Sequence, residues 1–247
     1  MGTWLPGVVV NKKQWSDELF SLQIDAAIPE FNAGQFVRIA LDINDERIAR
    51  PYSCVNSPDE KYIEVYFNII PDGPLTPKLA RLEIGDPLWV WDSVNGLLTL
   101  NEVPECRYLW MCATGTGIGP YISIMKTDKV WSRFEKVVLV YATRTFAEMA
   151  YQDFINSMSS DHGGQFIYCP ILSREEKQSM LPGRIPVLID NGKLEAQAGV
   201  EIDAQNSHVM LCGNSGMIAD TITVLGKRGM QKHKRREPGH IAMEKYH

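Results

Sequence analysis

The rhythm of apolar and polar positions changes once along the chain, near residue 101. Before that point the apolar runs are short, often alternate with polar residues, and are bounded by Pro, Gly, Asn or Asp. They fall at residues 8–10, 19–24, 35–41, 62–67 and 88–91. Runs of this period and spacing predict the strands of a barrel or sandwich. A helix is expected only over 76–82, where Pro77 suits the first turn. The polar, turn-like Asn101-Glu102-Val103-Pro104-Glu105 separates this half from one with another pattern. There, apolar strands at 137–141, 165–172 and 208–212 alternate with helical segments at 145–158 and 217–227. Such alternation predicts a parallel sheet covered by helices. Two domains are expected, residues 1–101 and 102–247.

The second half opens on Tyr108-Leu109-Trp110-Met111-Cys112-Ala113-Thr114-Gly115-Thr116-Gly117-Ile118-Gly119-Pro120. This order reads as a buried strand, a tight turn and a helix that starts at Pro120. Glycines let the backbone approach a ligand, and the free N–H groups of a helix start favour an anion such as a pyrophosphate. The glycine spacing is not the dinucleotide fingerprint, and no Gly-Lys-Ser/Thr follows to make a P-loop. Alone, the stretch reads equally as a nucleotide turn and as a tight connection.

In an open parallel sheet, ligands bind beyond the carboxyl ends of the strands. The residues to inspect are therefore the turn from Thr114 to Pro120, Thr143-Arg144, Ser173-Arg174 and Gly213-Asn214. Arg144 and Arg174, with Arg184 a little further on, suit a nucleotide 2′-phosphate, the group that separates NADP from NAD. Solvated loop arginines are the plain alternative. In the first half, Arg50-Pro51-Tyr52-Ser53 puts Arg50 and Tyr52 on one strand face and Ser53 on the other. An arginine can fork to phosphate, a tyrosine can stack on a flat ring, and a serine hydroxyl can donate to a ring nitrogen. A strand with an exposed Arg50 and a half-buried Tyr52 is the plainer reading.

Composition narrows the classes. The 247 residues carry a net charge of −5 and are 45% hydrophobic, which fits one large or two ordinary domains and argues against a general nucleic-acid binder. The cysteines are five and widely spaced, with no CxxC or Cys/His cluster. No zinc or iron–sulfur site is expected; reduced thiols of a cytoplasmic protein are. The opening Met1-Gly2-Thr3-Trp4-Leu5-Pro6 has no basic and apolar leader, and Pro6 breaks the myristoylation pattern. No signal peptide is therefore expected, and, since no apolar run reaches membrane-spanning length, no membrane partner either.

Five short motifs stand in one order: Arg50-Pro51-Tyr52-Ser53, Gly115-Thr116-Gly117-Ile118-Gly119-Pro120, Leu172-Ser173-Arg174, Cys212-Gly213-Asn214 and Glu244-Lys245-Tyr246. Together they resemble the ferredoxin–NADP reductases. The length, and Gly239-His240 near the C-terminus, resemble the bacterial ferredoxin/flavodoxin–NADP reductases of that superfamily. The resemblance spans essentially the whole chain. It implies an N-terminal antiparallel β-barrel holding non-covalent FAD and a C-terminal α/β parallel-sheet domain holding NADP.

Carried over by motif, Arg50 would bind the FAD pyrophosphate beside Pro51, Tyr52 would pack on the isoalloxazine, and Ser53 would approach flavin N5. Tyr66, Phe67, Asn68, Ile69, Pro74, Leu75 and Thr76 would add FAD contacts, with Thr116 at the domain junction. Thr143, Arg144, Ser173, Arg174 and Arg184 would hold the NADP adenosine phosphate. Met210, Leu211, Cys212, Gly213 and Asn214 would line the nicotinamide's approach. The resemblance places Ser53, Cys212, Glu244 and Tyr246 at the reacting centre, with Tyr246 stacked on the flavin's other face. Relatives of this type often end in Tyr-Trp. This chain ends Tyr246-His247, so His247 would meet the FAD adenine with less area and a group that can titrate.

The activity implied is electron transfer between NADPH and a small acidic carrier, ferredoxin or flavodoxin, by hydride transfer at flavin N5 in a monomer. Lys227, Arg228, Lys232, Lys234, Arg235 and Arg236 form a basic cluster in an otherwise acidic chain. Such a cluster either steers an acidic carrier or is a solvated loop. The same architecture would also serve an NAD(P)H-dependent flavin or quinone reductase, or the reductase component of an oxygenase. A non-catalytic flavin- or nucleotide-binding sensor is the reading from another class.

Overall fold

The computed structural model describes residues 2–246; the expected FAD contact at His247 lies outside them. Two compact units are present, each with its own core. One runs up to Thr99 and includes Gly119–Lys126; the other comprises Leu100–Ile118 and the residues from Thr127 onward.

The first unit holds β1 (Trp4–Gln14), β2 (Leu19–Asp25), β3 (Phe36–Ile43), β4 (Glu46–Ser53), β5 (Ile63–Asn68), the one-turn α1 (Thr76–Leu79) and β6 (Pro87–Trp91). The strand order is β4-β3-β6-β1-β2-β5, and every pairing is antiparallel. Cys54, one residue past β4, bridges Val65 of β5, so the two edge strands meet. A closed barrel leaves no exposed edge to template aggregation. Val9, Leu22, Ile24, Val37, Ile39, Val65 and Val90 fill its interior at nearly zero exposure.

Three local expectations change. β1 extends through the polar Asn11, Lys12 and Lys13, because pairing with β2 holds them and a register shift between Val9 and Asn11 absorbs the weak pattern. The helix expected over 76–82 stops at Leu79. Arg50 and Tyr52 do not share an environment: Arg50 is exposed, while Tyr52 and Ser53 are both buried as the chain enters the closure at Cys54.

The segment α2 (Gly119–Met125) is buried at all seven residues. Ser123 Oγ donates to the Asn56 carbonyl at 2.6 Å, and Lys126 pairs with Glu60 at 3.0 Å. These contacts group it with the barrel, so a single cut at 101/102 becomes a division in two segments. The helix begins at Gly119, after the 3-10 turn Gly115–Ile118 and one residue before Pro120.

The second unit contains β7 (Tyr108–Thr114), α3 (Asp128–Arg133), β8 (Lys136–Thr143), α4 (Gln152–Asp161), β9 (Phe166–Leu172), β10 (Leu181–Pro182), α5 (Ile185–Asp190), α6 (Lys193–Ala198), β11 (Ser207–Asn214), α7 (Ser215–Gly226) and β12 (Ile241–Tyr246). Its sheet is fully parallel in the order β10-β9-β8-β7-β11-β12. The chain starts on β7, moves outward through β8 to β10, then returns to the other side of β7 with β11. The order reverses between β7 and β11, the place where such sheets bind ligands. Trp110, Cys112, Val138, Val140, Val209 and Leu211 form near-continuous buried runs, as strands covered on both faces require.

The helix expected over 145–158 is divided. A 3-10 turn covers Phe146–Glu148, Met149 is extended, and Tyr151 takes a left-handed φ of 59°, so α4 starts only at Gln152. The turn is fixed by Thr143 Oγ1 donating to the Thr145 carbonyl at 2.8 Å. Near the C-terminus, Ile241–Tyr246 form β12 at the sheet edge. Among the described residues no helix is long and apolar enough to cross a membrane.

Candidate active site

The turns after β7 and β11 abut through backbone. A Cβ on Gly117 would lie 2.5 Å from the Cys212 carbonyl oxygen. Gly213 has φ +128°, and a Cβ there would overlap Thr114 Oγ1. Only glycine supplies both the room and that conformation. Thr114 Oγ1 accepts the Asn214 N–H at 2.9 Å, which joins the two strand ends. The Asn214 side chain caps α7 by accepting the Gly216 and Met217 N–H groups at 2.9 and 3.1 Å.

β12 brings the C-terminal residues to the same place. Its register sets Glu244 beside Cys212 and Tyr246 beside Asn214. The Tyr246 hydroxyl donates to the Thr116 carbonyl at 3.5 Å. Cys212, like Met210 and Leu211, is fully buried. Burial and then the Glu244 charge push the Cys212 thiol well above its ordinary range, and a hydrogen bond with Tyr246 opposes them. Cys212 therefore stays protonated: a weak donor and a poor nucleophile. Thr116, Cys212, Glu244 and Tyr246 are thus assembled in one region of the second unit.

The arginines come from consecutive strand ends. Ser173 N–H donates to the Thr143 carbonyl at 3.0 Å, Arg174 N–H to the Arg144 carbonyl at 2.9 Å, and Gly183 N–H to the Leu172 carbonyl at 2.9 Å. β10 pairs Pro182 with Leu172, so Arg184 leaves the sheet beside Ser173-Arg174. Two carboxylates join this set that the residue pattern did not single out. Glu148 holds the Arg144 guanidinium at 2.8 Å, and Glu175 accepts the Phe146 N–H at 2.7 Å. The Arg144–Glu148 spacing was a readable signal; the Glu175 contact depends on how two loops fold.

In the barrel unit, the bridge between Cys54 and Val65 sets Ser53 opposite Tyr66 and Tyr52 opposite Phe67. Tyr52 meets Phe67 edge-on with ring centroids 5.9 Å apart. Its hydroxyl is buried with no hydrogen-bond partner among the described residues, and burial raises its pKa. Ser53, Tyr66 and Phe67 are buried; Arg50, Pro51 and Asn68 are exposed. Among the described residues, Arg50 donates to the neighbouring Ala49 carbonyl, at 2.7 Å. Thr76 Oγ1 accepts the Ile70 N–H at 2.8 Å and so fastens the turn after half-buried Ile69 to α1, where Leu75 is buried and Pro74 exposed. An orphaned buried hydroxyl is a group that a bound ligand should satisfy. With exposed Arg50 two residues away, the set fits a cofactor that carries both a polar ring system and phosphate.

Residues 7–91 match the oxidoreductase FAD-binding domain, and residues 111–223 match the oxidoreductase NAD-binding domain. Fold and site therefore define the class of two-domain oxidoreductases in which an FAD-binding barrel precedes an NAD-binding α/β sheet. The chain is 44% identical over 247 residues to the flavodoxin/ferredoxin–NADP reductase of Escherichia coli K12, with 100% of each covered. It is 33% identical to the ferredoxin–NADP reductase of Pseudomonas aeruginosa, covering 96% of this chain and 95% of that one. A crystal structure of a ferredoxin NADP+ reductase from Neisseria gonorrhoeae, with bound FAD and NADP, matches with a TM-score of 0.92 at 29% identity over 98% of both chains. The chain belongs to the flavodoxin/ferredoxin–NADP reductase family.

Proposed function

We propose that this protein is an FAD-dependent oxidoreductase that moves electrons between NADPH and ferredoxin or flavodoxin. The observation that carries the choice of NADPH is the arginine set: Arg144, Arg174 and Arg184 leave three neighbouring strand ends of a parallel sheet. Forked guanidinium groups there suit a 2′-phosphate, with Thr143 and Ser173 beside them. FAD supplies the exchange between two-electron hydride chemistry and one-electron transfer, which no side chain here provides.

The protein's part is binding and orientation. Arg50 would hold the pyrophosphate of FAD, and Pro51, Tyr52, Ser53, Tyr66, Phe67, Asn68, Ile69, Pro74, Leu75 and Thr76 would line its place. In the barrel unit Ser53, and in the second unit Cys212, Glu244 and Tyr246, would serve hydride transfer. Cys212 does so as a neutral thiol, since its burial keeps the proton on sulfur. Gly213 and Asn214, tied to Thr114, keep the second turn close to the first.

The basic cluster is smaller than its sequence count. Arg228 is held by Glu195 at 2.8 Å and donates to the Ile189 carbonyl at 2.6 Å; Lys227 pairs with Asp190 and Lys234 with Glu237. Lys232, Arg235 and Arg236 are exposed and carry no ion pair among the described residues. These three form the surface proposed to steer an acidic carrier, with rates that fall as salt rises. We further propose a cytoplasmic monomer; the free thiols of all five cysteines agree with a reducing compartment.

Steady-state kinetics of Arg174→Gln test the reading. Losing one charge-assisted contact should raise the KM for NADPH roughly 10- to 100-fold and leave that for NADH nearly unchanged. A wild-type enzyme that uses the two nucleotides equally well would remove the 2′-phosphate assignment. In the same assay, Arg235→Glu with Arg236→Glu should slow carrier reduction at low salt but not NADPH oxidation by a small dye. Equal carrier rates would remove the docking role.

A further inference from the structure

We infer that Phe146 is the ring on which the adenine of the nucleotide stacks, and that Lys177, resting on that ring, is a fourth cation for the 2′-phosphate. The inference rests on the proposed NADPH site. Phe146 is 37% exposed, and it is the only aromatic among the exposed large hydrophobics of the described residues. It stands two residues after Arg144 on the 3-10 turn that interrupts the expected helix.

Its position is fixed from both sides of the arginine set. Arg174 N–H donates to the Arg144 carbonyl at 2.9 Å, and the next residue, Glu175, takes the Phe146 N–H at 2.7 Å. The backbone thus holds an exposed ring at a set place relative to two arginines. A solvated aromatic fixed in this way offers a purine a flat apolar face at little further ordering cost.

Lys177 Nζ lies 3.0 Å from the centroid of that ring. A cation on an exposed phenyl face is weakly held. A purine that took this face would displace the ammonium, and the phosphate on its ribose would offer the displaced charge a better partner. The exchange leaves no charge unpaired. Lys177 is thus a latent member of the phosphate site, and Phe146 reads the base.

Calorimetric binding of 2′-phosphoadenosine 5′-phosphate and of AMP to the FAD-loaded protein tests this. Phe146→Leu should weaken both ligands about tenfold, with their ratio kept, because stacking ignores the phosphate. Phe146→Trp should retain the affinity, and its added emission should be quenched by either ligand. Lys177→Gln should weaken 2′-phosphoadenosine 5′-phosphate severalfold and leave AMP unchanged. Unchanged affinities in Phe146→Leu, or an added emission in Phe146→Trp that neither ligand quenches, would overturn the role of the ring. An equal loss of both ligands in Lys177→Gln would overturn that of the lysine. Arg174→Gln separates the two levels. If it spares 2′-phosphoadenosine 5′-phosphate binding, the NADPH site itself is misplaced. If it weakens binding while Phe146→Leu does not, only the present inference falls.

Discussion

Gly213 combines a φ of +128° with Thr114 Oγ1 occupying the space where a side chain would begin. An alanine there must take a strained backbone and also push β11 from β7 at the ligand end. We expect Gly213→Ala to cost about 2–4 kcal/mol and to lower the melting temperature by several degrees. Gly226→Ala is the control, since a Cβ there meets nothing within 4 Å and φ is ordinary. Scanning calorimetry that found Gly213→Ala as stable as Gly226→Ala would contradict this account of the turn. At this scale the sequence was readable where a residue's chemistry is local: the clustered glycines, the capping Asn214 and the arginines after strands. It was silent on Tyr52's orphaned hydroxyl and on Glu175, because both depend on which distant backbone folds against them.

Period and punctuation gave most elements of the sheets but not their ends. β12 went unread as a strand: its apolar part is only Ile241-Ala242-Met243, and pairing with β11 carries it on through the polar Glu244 and Lys245 to Tyr246. The helix expected over 145–158 failed for the opposite reason. Its apolar period is real, but Glu175 and Thr143 hold its first turn in another shape. β11 also carries a testable titration at its amino end. His208 is 1% exposed, and burial, followed by the nearby His233 and His240, lowers its pKa to about 3. An unfolded histidine titrates at about 6.5. The unfolded chain therefore binds the extra proton between about pH 6.5 and 3, and stability falls as pH drops through that window. From pH 7 to 5 the loss from this group should be ~2 kcal/mol. Urea unfolding should show a shallower loss over that range in His208→Gln than in wild type. Equal slopes would mean that His208 is protonated in the folded chain.

For the molecule as a whole, the change of pattern near residue 101 foretold two kinds of structure, an antiparallel barrel and a parallel sheet. The grouping of Gly119–Lys126 with the barrel was not legible, because a buried apolar helix after a strand reads the same whichever core it joins. The proposed function requires that the protein bind FAD and that NADPH reduce it. Anaerobic absorption spectroscopy of the purified protein tests this most directly. We expect a yellow protein whose flavin bands bleach on adding NADPH and return when oxidised ferredoxin or flavodoxin is added. A protein that stays colourless with added FAD, or one whose bound flavin NADPH leaves unreduced, would contradict the proposed function.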